Sequence, residues 1–283
     1  MSVPIEPDQQ PWCRKLYANE GYPDNYTDET FLRELRKNIY FKPVSFKEAI
    51  KGASLVINEL CTVVLFVLHY TFLYNNWIDP STVFTYSSSV TFIGYIIYSF
   101  KSISINKKTI GHDVRTLLMY IVFGHLFSPV LHTLTDTIST DTIYTMTFFM
   151  MLIHLIFFNY GIDGSIVSNG LSISAAIFAS ICLSSRLASA FEAFVLMTFS
   201  TQCFILFPFL KAKVDNLYFI TPSLVAFDIV VLWCVSKTMF ALFLCSLVLL
   251  NGLCPYLFVK YQRHKDNIHG PWDEAVVEDT KQI

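Results

Sequence analysis

The sequence has little charge and lacks the motifs that mark common kinds of catalytic site. Only 15% of its 283 residues are charged, whereas 53% are hydrophobic, and the mean hydropathy is +0.48. It contains no HExxH metal motif, no glycine-rich phosphate loop, no GxSxG turn and no two aspartates separated by one residue. Nor is any polar segment long enough for a nucleotide-binding domain. If the protein takes part in an activated-sugar reaction, another chain is expected to hold the donor.

Cysteine chemistry is also not expected. The seven cysteines lie at 13, 61, 182, 203, 234, 245 and 254, so no CxxC pair exists for zinc or redox chemistry. Most of them fall in apolar stretches, where cysteine acts as a small hydrophobic side chain. We therefore expect no metal, no cofactor and no catalytic residue in this chain.

About eight apolar stretches with almost no internal charge follow one another between Leu55 and Val259. Roughly 20 apolar residues cross a bilayer as a helix, and unpaired backbone groups are too costly in hydrocarbon for other open structures. The sequence therefore predicts an all-α, polytopic membrane bundle of about eight transmembrane helices. The predicted spans are Leu55–Tyr74, Thr82–Phe100, Thr116–Leu134, Thr142–Tyr160, Ile166–Ser185, Ala193–Leu210, Phe219–Ser236 and Thr238–Val259.

The distribution of basic residues predicts the orientation. With eight crossings, 18 of the 20 Lys and Arg lie in the termini and even-numbered gaps, and only Arg186 and Lys237 lie in the odd-numbered gaps. The positive-inside rule then places both termini in the cytosol. Lys237 alone separates the last two spans. If these spans were one crossing, 14 Lys and Arg would lie on the cytosolic side and 5 on the opposite side, with Lys237 unassigned. A formal charge of −2 argues against a nucleic-acid partner.

Three segments follow from this topology: a cytosolic arm, 1–54, a transmembrane bundle, 55–259, and a cytosolic tail, 260–283. In the arm, apolar residues at helical spacing from Phe31 to Ile39 alternate with basic ones, which predicts a short basic amphipathic helix. It could pack on a partner or lie on anionic headgroups. Ser45 with Glu48 resembles a capping box, so the first membrane helix is expected to begin near Phe46.

The fifth predicted span has a face of small side chains. They recur every four residues, and in lipid such a face lets helices approach closely. We expect this helix in the bundle interior or in contact with another subunit, although a merely serine-rich helix is the alternative. The residues are Ser172, Ala176, Ser180 and Ser184.

Ionisable residues within spans are candidates for function, because a charge at the bilayer centre costs roughly 2.5–3.5 kcal/mol on insertion scales. Asp228 is the clearest case, and its role is open. His69, His125 and His154 are weaker candidates, since a neutral imidazole needs only a hydrogen-bond partner. For all four residues the alternative is an interhelical hydrogen bond.

A loop between the third and fourth spans carries Asp136 and Asp141 and is flanked by His132. Two carboxylates beside a histidine suit acid–base chemistry or a metal. Such residues also cap helices, and Asp141 precedes the fourth span as an N-cap would. We favour capping.

Six blocks along the chain together resemble the PIG-C family, and they run from the arm to the tail. They are Pro23–Tyr26 leading to Phe31–Asn38, Phe127–Leu131 with Thr133–Thr135, Ile138–Tyr144, His154–Phe158, Ala176–Ser180 with Ser185–Leu187, and Asn267–Ala275. Members of this family are multi-pass subunits of phosphatidylinositol N-acetylglucosaminyltransferase, an endoplasmic-reticulum complex. The resemblance implies that this complex transfers GlcNAc from UDP-GlcNAc to phosphatidylinositol, which begins glycosylphosphatidylinositol (GPI)-anchor synthesis. It also implies that a different polypeptide of the complex is catalytic, and it assigns no catalytic residue here.

These observations lead to the hypothesis of a membrane scaffold that holds the catalytic subunit and helps present the inositol headgroup. Its expected partners are the other transferase subunits, phosphatidylinositol and membrane lipid. The residues expected to contact a lipid headgroup or a partner are Arg33, Arg36, Lys37, His269, Trp272 and Asp273. A multipass lipid transporter or scramblase is an alternative, and it predicts polar faces and broken helices at the membrane midplane. A third possibility, that the chain is itself a lipid-modifying enzyme, requires turnover of UDP-GlcNAc by the isolated chain.

Overall fold

The computed structural model describes residues 36–38, 41–101, 107–135, 137–161, 168–213, 220–266 and 268–269. The chain divides into two compact units. The terminal unit combines Met1–Ser45 with Phe258–Ile283, and the helical unit is Phe46–Leu257.

The helical unit is a series of α-helices. The first begins at Phe46, directly after Ser45, as the capping pattern predicted. The helices are α1 Phe46–Tyr74, α2 Pro80–Lys101, α3 Lys107–Thr133, α4 Thr140–Phe157, α5 Asn169–Ser184, α6 Ala190–Thr201, α7 Phe207–Lys213, α8 Ile220–Val235, α9 Lys237–Val248 and α10 Cys254–Tyr261.

A helix coincides with each predicted span, which confirms the helical fold class. By length and composition, five helical stretches of the described residues suit a membrane crossing: Phe46–Tyr74, Gly111–Thr133, Thr140–Phe157, Ala190–Ala212 and Lys237–His264. Asn169–Ser184 and Ile220–Val235 are shorter apolar helices. The number of eight crossings stays a prediction.

The turn between the last two predicted spans is well defined. Ser236 has extended backbone angles, φ −158° and ψ 120°, and its side chain accepts a hydrogen bond from Met239 N. This is an N-cap, which ends α8 and starts α9. The rings of Trp233 and Phe240, on either side of the cap, are 5.1 Å apart. The chain therefore folds back at Ser236, and the two spans are separate helices.

Helix α1 is at the centre of the helical unit, between two apolar clusters. Phe66 and Leu73 of α1 belong to the first cluster, with residues of α4, α5 and α6. Ile57 and Leu68 belong to the second cluster, with Leu232 of α8 and Phe243 of α9. By contrast, the most apolar part of α3 is almost entirely unburied. An outward apolar face of this kind suits lipid or a partner helix.

Within the described residues, two π-helical segments interrupt the longer helices. Gln202–Leu206 lies between α6 and α7, and Leu249–Leu253 lies between α9 and α10. Each ends two residues before a proline, Pro208 or Pro255. Proline lacks an N–H and its ring clashes with the carbonyl four residues earlier, and a widened turn relieves both problems without ending the helix.

The terminal unit contains a short antiparallel ladder, so the described chain is helical apart from it. Strand β1, Arg36–Lys37, pairs with strand β2, Ile268–His269, and Arg36 is opposite His269. Asn38 follows with φ 57°, a left-handed conformation that does not continue a helix. The predicted amphipathic helix is therefore wrong at residues 36–38, because pairing with the tail satisfies this backbone as a strand. The rest of that predicted helix, including Arg33, lies outside the described residues.

Candidate functional site: a sealed polar cluster on helix α1

Glu59 and His154 form a pair inside the helical unit. Glu59 belongs to α1 and His154 to α4, and the distance from Glu59 Oε1 to His154 Nε2 is 3.2 Å. Both side chains have 0% exposed surface. An ionisable group removed from water is costly unless it is paired or hydrogen-bonded. This contact therefore constrains how α1 and α4 pack.

Ser172 of α5 fixes the orientation of the imidazole. Its Oγ donates to the backbone carbonyl of His154 at 3.2 Å, which uses the hydroxyl hydrogen. The same oxygen lies 2.8 Å from His154 Nδ1, and Nδ1 also lies 3.0 Å from the backbone carbonyl oxygen of Ser172. These contacts hold one edge of the imidazole against α5, while Nε2 faces Glu59.

Aromatic rings close the space around this pair. Phe204, from the π-helical segment Gln202–Leu206, packs edge-on against His154 with a centroid distance of 4.9 Å. The Phe204 ring also meets Phe66 of α1 at 5.4 Å. The π-helical segment before Pro208 therefore supplies the Phe204 ring that packs over the Glu59–His154 pair.

Other polar atoms on and near α1 are buried without partners. Glu59 Oε2, both amide atoms of Asn58 and both carboxyl oxygens of Asp228 have no hydrogen-bond partner in the described part of the chain. The thiol of Cys61 lies close to Asp228. Each unpaired buried group costs about 1–3 kcal/mol. The first span, apolar in overall composition, thus carries most of these unpaired polar groups.

The structure brings together only some of the ionisable residues that the sequence singled out. His154 joins Ser172, which the sequence had marked only for its small size. Asp228 is fully buried on α8 and shares no hydrogen bond with them. His69 Nδ1 lies 2.9 Å from the carbonyl of Leu65 in its own helix.

His125 contacts a ring rather than a polar partner. Its imidazole meets the ring of Phe194 edge-on at 5.5 Å. Glu59 is the residue that the sequence reasoning missed, and the signal was a lone carboxylate inside an apolar stretch.

The small-residue face of α5 lies in the interior. Ser172, Ala176, Ser180 and Ser184 are all buried, and Ser180 Oγ hydrogen-bonds to Ser200 Oγ of α6. Ser180 and Ser184 also bond to carbonyls of their own helix. Close approach and side-chain hydrogen bonds therefore both hold α5 against its neighbours.

The residues around the loop before α4 cap a helix and connect neighbouring segments. Ser139 accepts a hydrogen bond from Thr142 N and caps α4, so the prediction that Asp141 is the cap is wrong; Asp141 lies in the first turn. His132 Nε2 lies 2.8 Å from the carbonyl of Leu187 and ties α3 to the turn before α6. Asp136 lies outside the described residues.

The described ends of the chain are joined by backbone and side-chain bonds. Gln262 accepts from Val44 N at 2.9 Å and donates to Val44 O at 3.1 Å. Together with the pairing of Arg36 and Lys37 with β2, this links the segment before α1 to the segment after α10. Trp272 and Asp273 lie outside the described residues.

The chain is similar to known proteins along nearly its whole length. The family model described as phosphatidylinositol N-acetylglucosaminyltransferase matches residues 12–273. The PIG-C subunit of phosphatidylinositol N-acetylglucosaminyltransferase from Bos taurus is 40% identical over 280 residues, which is 95% of this chain and 93% of the relative. The corresponding Homo sapiens protein is 39% identical with the same coverage. The transferase's GPI2 subunit from Schizosaccharomyces pombe is 27% identical, covering 95% and 87%. No solved structure matches.

The fold and the sealed cluster define an α-helical protein with several helices suited to a membrane. Its buried ionisable pair is enclosed by the bundle rather than facing an open cleft. The chain belongs to the PIG-C family of phosphatidylinositol N-acetylglucosaminyltransferase subunits. Its relatives are named as subunits of phosphatidylinositol N-acetylglucosaminyltransferase.

Proposed function

We propose that this chain is a non-catalytic scaffold subunit of the transferase complex in the endoplasmic reticulum membrane. The complex moves GlcNAc from UDP-GlcNAc to phosphatidylinositol, and another subunit performs the chemistry. The observation that carries this proposal is the burial of Glu59, His154 and Asp228, each with 0% exposed surface. A group that touches neither solvent nor a cleft cannot reach a sugar nucleotide, whereas it can hold helices in register.

The joined ends of the chain support the proposed topology. Val44 precedes the first helix and Gln262 follows the last, and the two exchange hydrogen bonds within the terminal unit. Segments that bond to each other in this way lie on one side of a bilayer, so the number of crossings between them is even. Eight crossings satisfy this condition, and the distribution of basic residues favours the cytosolic side.

The outward surface of the helical unit supports a role in assembly. Helix α3 has large exposed apolar side chains, including Leu118, Val122 and Leu126. Shape complementarity, rather than the hydrophobic effect, selects partners for such a face in lipid. We assign this surface to lipid and to other subunits, and the basic arm to the cytosolic surface.

The scaffold role is tested by comparing the isolated chain with the assembled complex. Purified alone and placed in phosphatidylinositol vesicles with UDP-GlcNAc, the chain should show no turnover, whereas the complex should be active. Replacing Arg33, Arg36 and Lys37 with Gln should lower transferase activity or recovery of the complex from microsomes. The matched control is Lys237→Gln, an exposed lysine in a predicted lumenal turn, which should change neither. Turnover by the isolated chain would overturn the proposal, and normal recovery and activity of the triple variant would remove the role of the arm.

A further inference from the structure

The terminal unit contains a cavity that the scaffold role does not use. Its volume is about 420 Å³. Phe41, Val44, Phe258 and Tyr261 form an apolar wall, and Lys42 and Lys265 supply the charged groups. Residues from before α1 and from the last turns of the chain's helical part contribute, so the cavity exists only when the two ends of the chain are joined.

A pair of hydrogen bonds fixes the position of these ends. Gln262, which also lines the cavity, bonds through both amide atoms to the backbone of Val44. The backbone on both sides of the cavity is therefore held in place before any ligand arrives, which lowers the entropic cost of binding.

The cavity lies among positive charges. Lys42, Arg263 and Lys265 are exposed, and Lys260 lies 5.8 Å from the ring centroid of Tyr261. Lys42 and Lys265 line the cavity itself. These two lysines favour an anion there.

The aromatic wall distinguishes a lipid from a small free anion. Phe258 and Tyr261 each expose 55% of their surface. Aromatic side chains beside lysines and arginines are typical of the membrane–water interface, where rings meet glycerol and upper acyl carbons while cations meet phosphate. Inorganic phosphate would gain nothing from these rings.

We infer that the cavity of the terminal unit binds the headgroup of an anionic glycerophospholipid, with Lys42 and Lys265 at the phosphate and Phe258 and Tyr261 at the glycerol end. The cavity selects net negative charge rather than the inositol ring, because its lining consists mainly of two lysines and apolar or aromatic side chains. This inference rests on the proposed function, since it needs the terminal unit at the cytosolic membrane surface, where anionic lipids are found.

Binding is measured on the purified full-length chain in a neutral detergent with soluble dioctanoyl lipids. Dioctanoyl phosphatidylinositol and dioctanoyl phosphatidylserine should bind with dissociation constants within about threefold of each other. Dioctanoyl phosphatidylcholine should bind at least about tenfold more weakly. Replacing Lys42 and Lys265 together with Gln should weaken both anionic lipids by about 25-fold, taken as about fivefold per lysine near a surface. Raising the salt concentration should weaken binding as well.

Two controls separate loss of the site from loss of the fold. Lys237→Gln lies outside the cavity and should bind as the unchanged chain does. The pair Lys42→Arg with Lys265→Arg keeps both charges and should retain affinity within about threefold, which a folding defect would not allow.

Three results would overturn the inference. The first is that the variant with both Lys42→Gln and Lys265→Gln binds anionic lipid as well as the unchanged chain does. Phosphatidylinositol could bind more than tenfold better than phosphatidylserine, which would mean that the ring is recognised. Inorganic phosphate could displace the lipid at equal concentration, which would assign the cavity to a free anion. Because no sugar nucleotide or transferase assay is involved, any of these results leaves the scaffold test above unchanged.

Discussion

Glu59 Oε1 and His154 Nε2 lie 3.2 Å apart in the interior of the helical unit, although 95 residues separate them in the chain. Neither residue has a comparable ionisable partner within its own helix. Glu59 and His154 are each costly in lipid, and this cost falls when α1 and α4 meet in this register. The pair therefore gives specificity of packing to two helices that are otherwise apolar.

Removing either member of this pair should destabilise the protein. We expect Glu59→Ala and His154→Ala each to lower the free energy of unfolding by about 1–2 kcal/mol. This is less than the 3–5 kcal/mol for breaking a buried pair in a soluble core, because a membrane protein's unfolded state also finds polar partners. Thermal unfolding in detergent measures the effect. In the double variant the losses should not add, and the coupling should be about 0.6–1.7 kcal/mol; additive losses would show that the contact contributes nothing.

Asp228 should behave in the opposite way. Its carboxyl oxygens are buried beside the Cys61 thiol, a weak donor, and no stronger hydrogen-bond partner lies among the described residues, so the carboxyl group is a cost rather than a gain. Asp228→Leu should raise the free energy of unfolding by about 1–3 kcal/mol, and the near-isosteric Asp228→Asn should change it little. A clear loss of stability in both variants would mean that the carboxyl group has a stabilising partner. The complex should be assayed alongside, since a more stable but inactive variant would give Asp228 a functional role.

The small-residue face of α5 should not accept a larger side chain. Ala176 is fully buried within the first apolar cluster, so Ala176→Leu should lower the free energy of unfolding by about 1–3 kcal/mol through overpacking. The matched control is Ser174→Leu, which adds a leucine to the exposed face of the same helix and should change stability by less than about 0.5 kcal/mol. Equal effects of the two variants would show that helix propensity, rather than packing, is being measured.

Both ends of the chain should be found on the cytosolic side. Epitope tags placed before Met1 and after Ile283 should both be digested by protease added to sealed microsomes. A tag inserted beside Lys237 in the turn between α8 and α9 should be protected until detergent is added. Protection of one terminal tag alone would mean an odd number of crossings, which is incompatible with the Val44–Gln262 hydrogen bonds.

The helices were largely predictable, and the positions of polar contacts were not. Apolar runs and the Ser45–Glu48 pattern indicated where α1 begins. Both signals are local, because helix capping and hydropathy depend on residues that are close together in the sequence. The pairing of Arg36 with His269 could not be read in the same way, since a two-residue ladder has no periodic signal and depends on the far end of the chain. For this reason, an arm with helical spacing is a strand at residues 36 and 37.

The residues of the candidate site were also predictable only in part. Ser172 was identified by its four-residue spacing, but its bonds to His154 follow from how α4 and α5 pack. Glu59 was passed over because one carboxylate hardly changes the hydropathy of a long span. The π-helical turns before Pro208 and Pro255 had a local signal, since a proline inside an apolar helix requires an adjustment of the backbone.

The sequence by itself determined the family, the helical class and the membrane as solvent, because motif blocks and hydropathy are properties of the chain taken residue by residue. Only the tertiary structure decided that Glu59 meets His154, that Asp228 is buried beside Cys61, and that the two ends enclose a cavity lined by two lysines. The physical reason is that a polar atom in an apolar bundle is stabilised or penalised by what lies within about 3 Å of it. Those neighbours come from helices far apart in the chain.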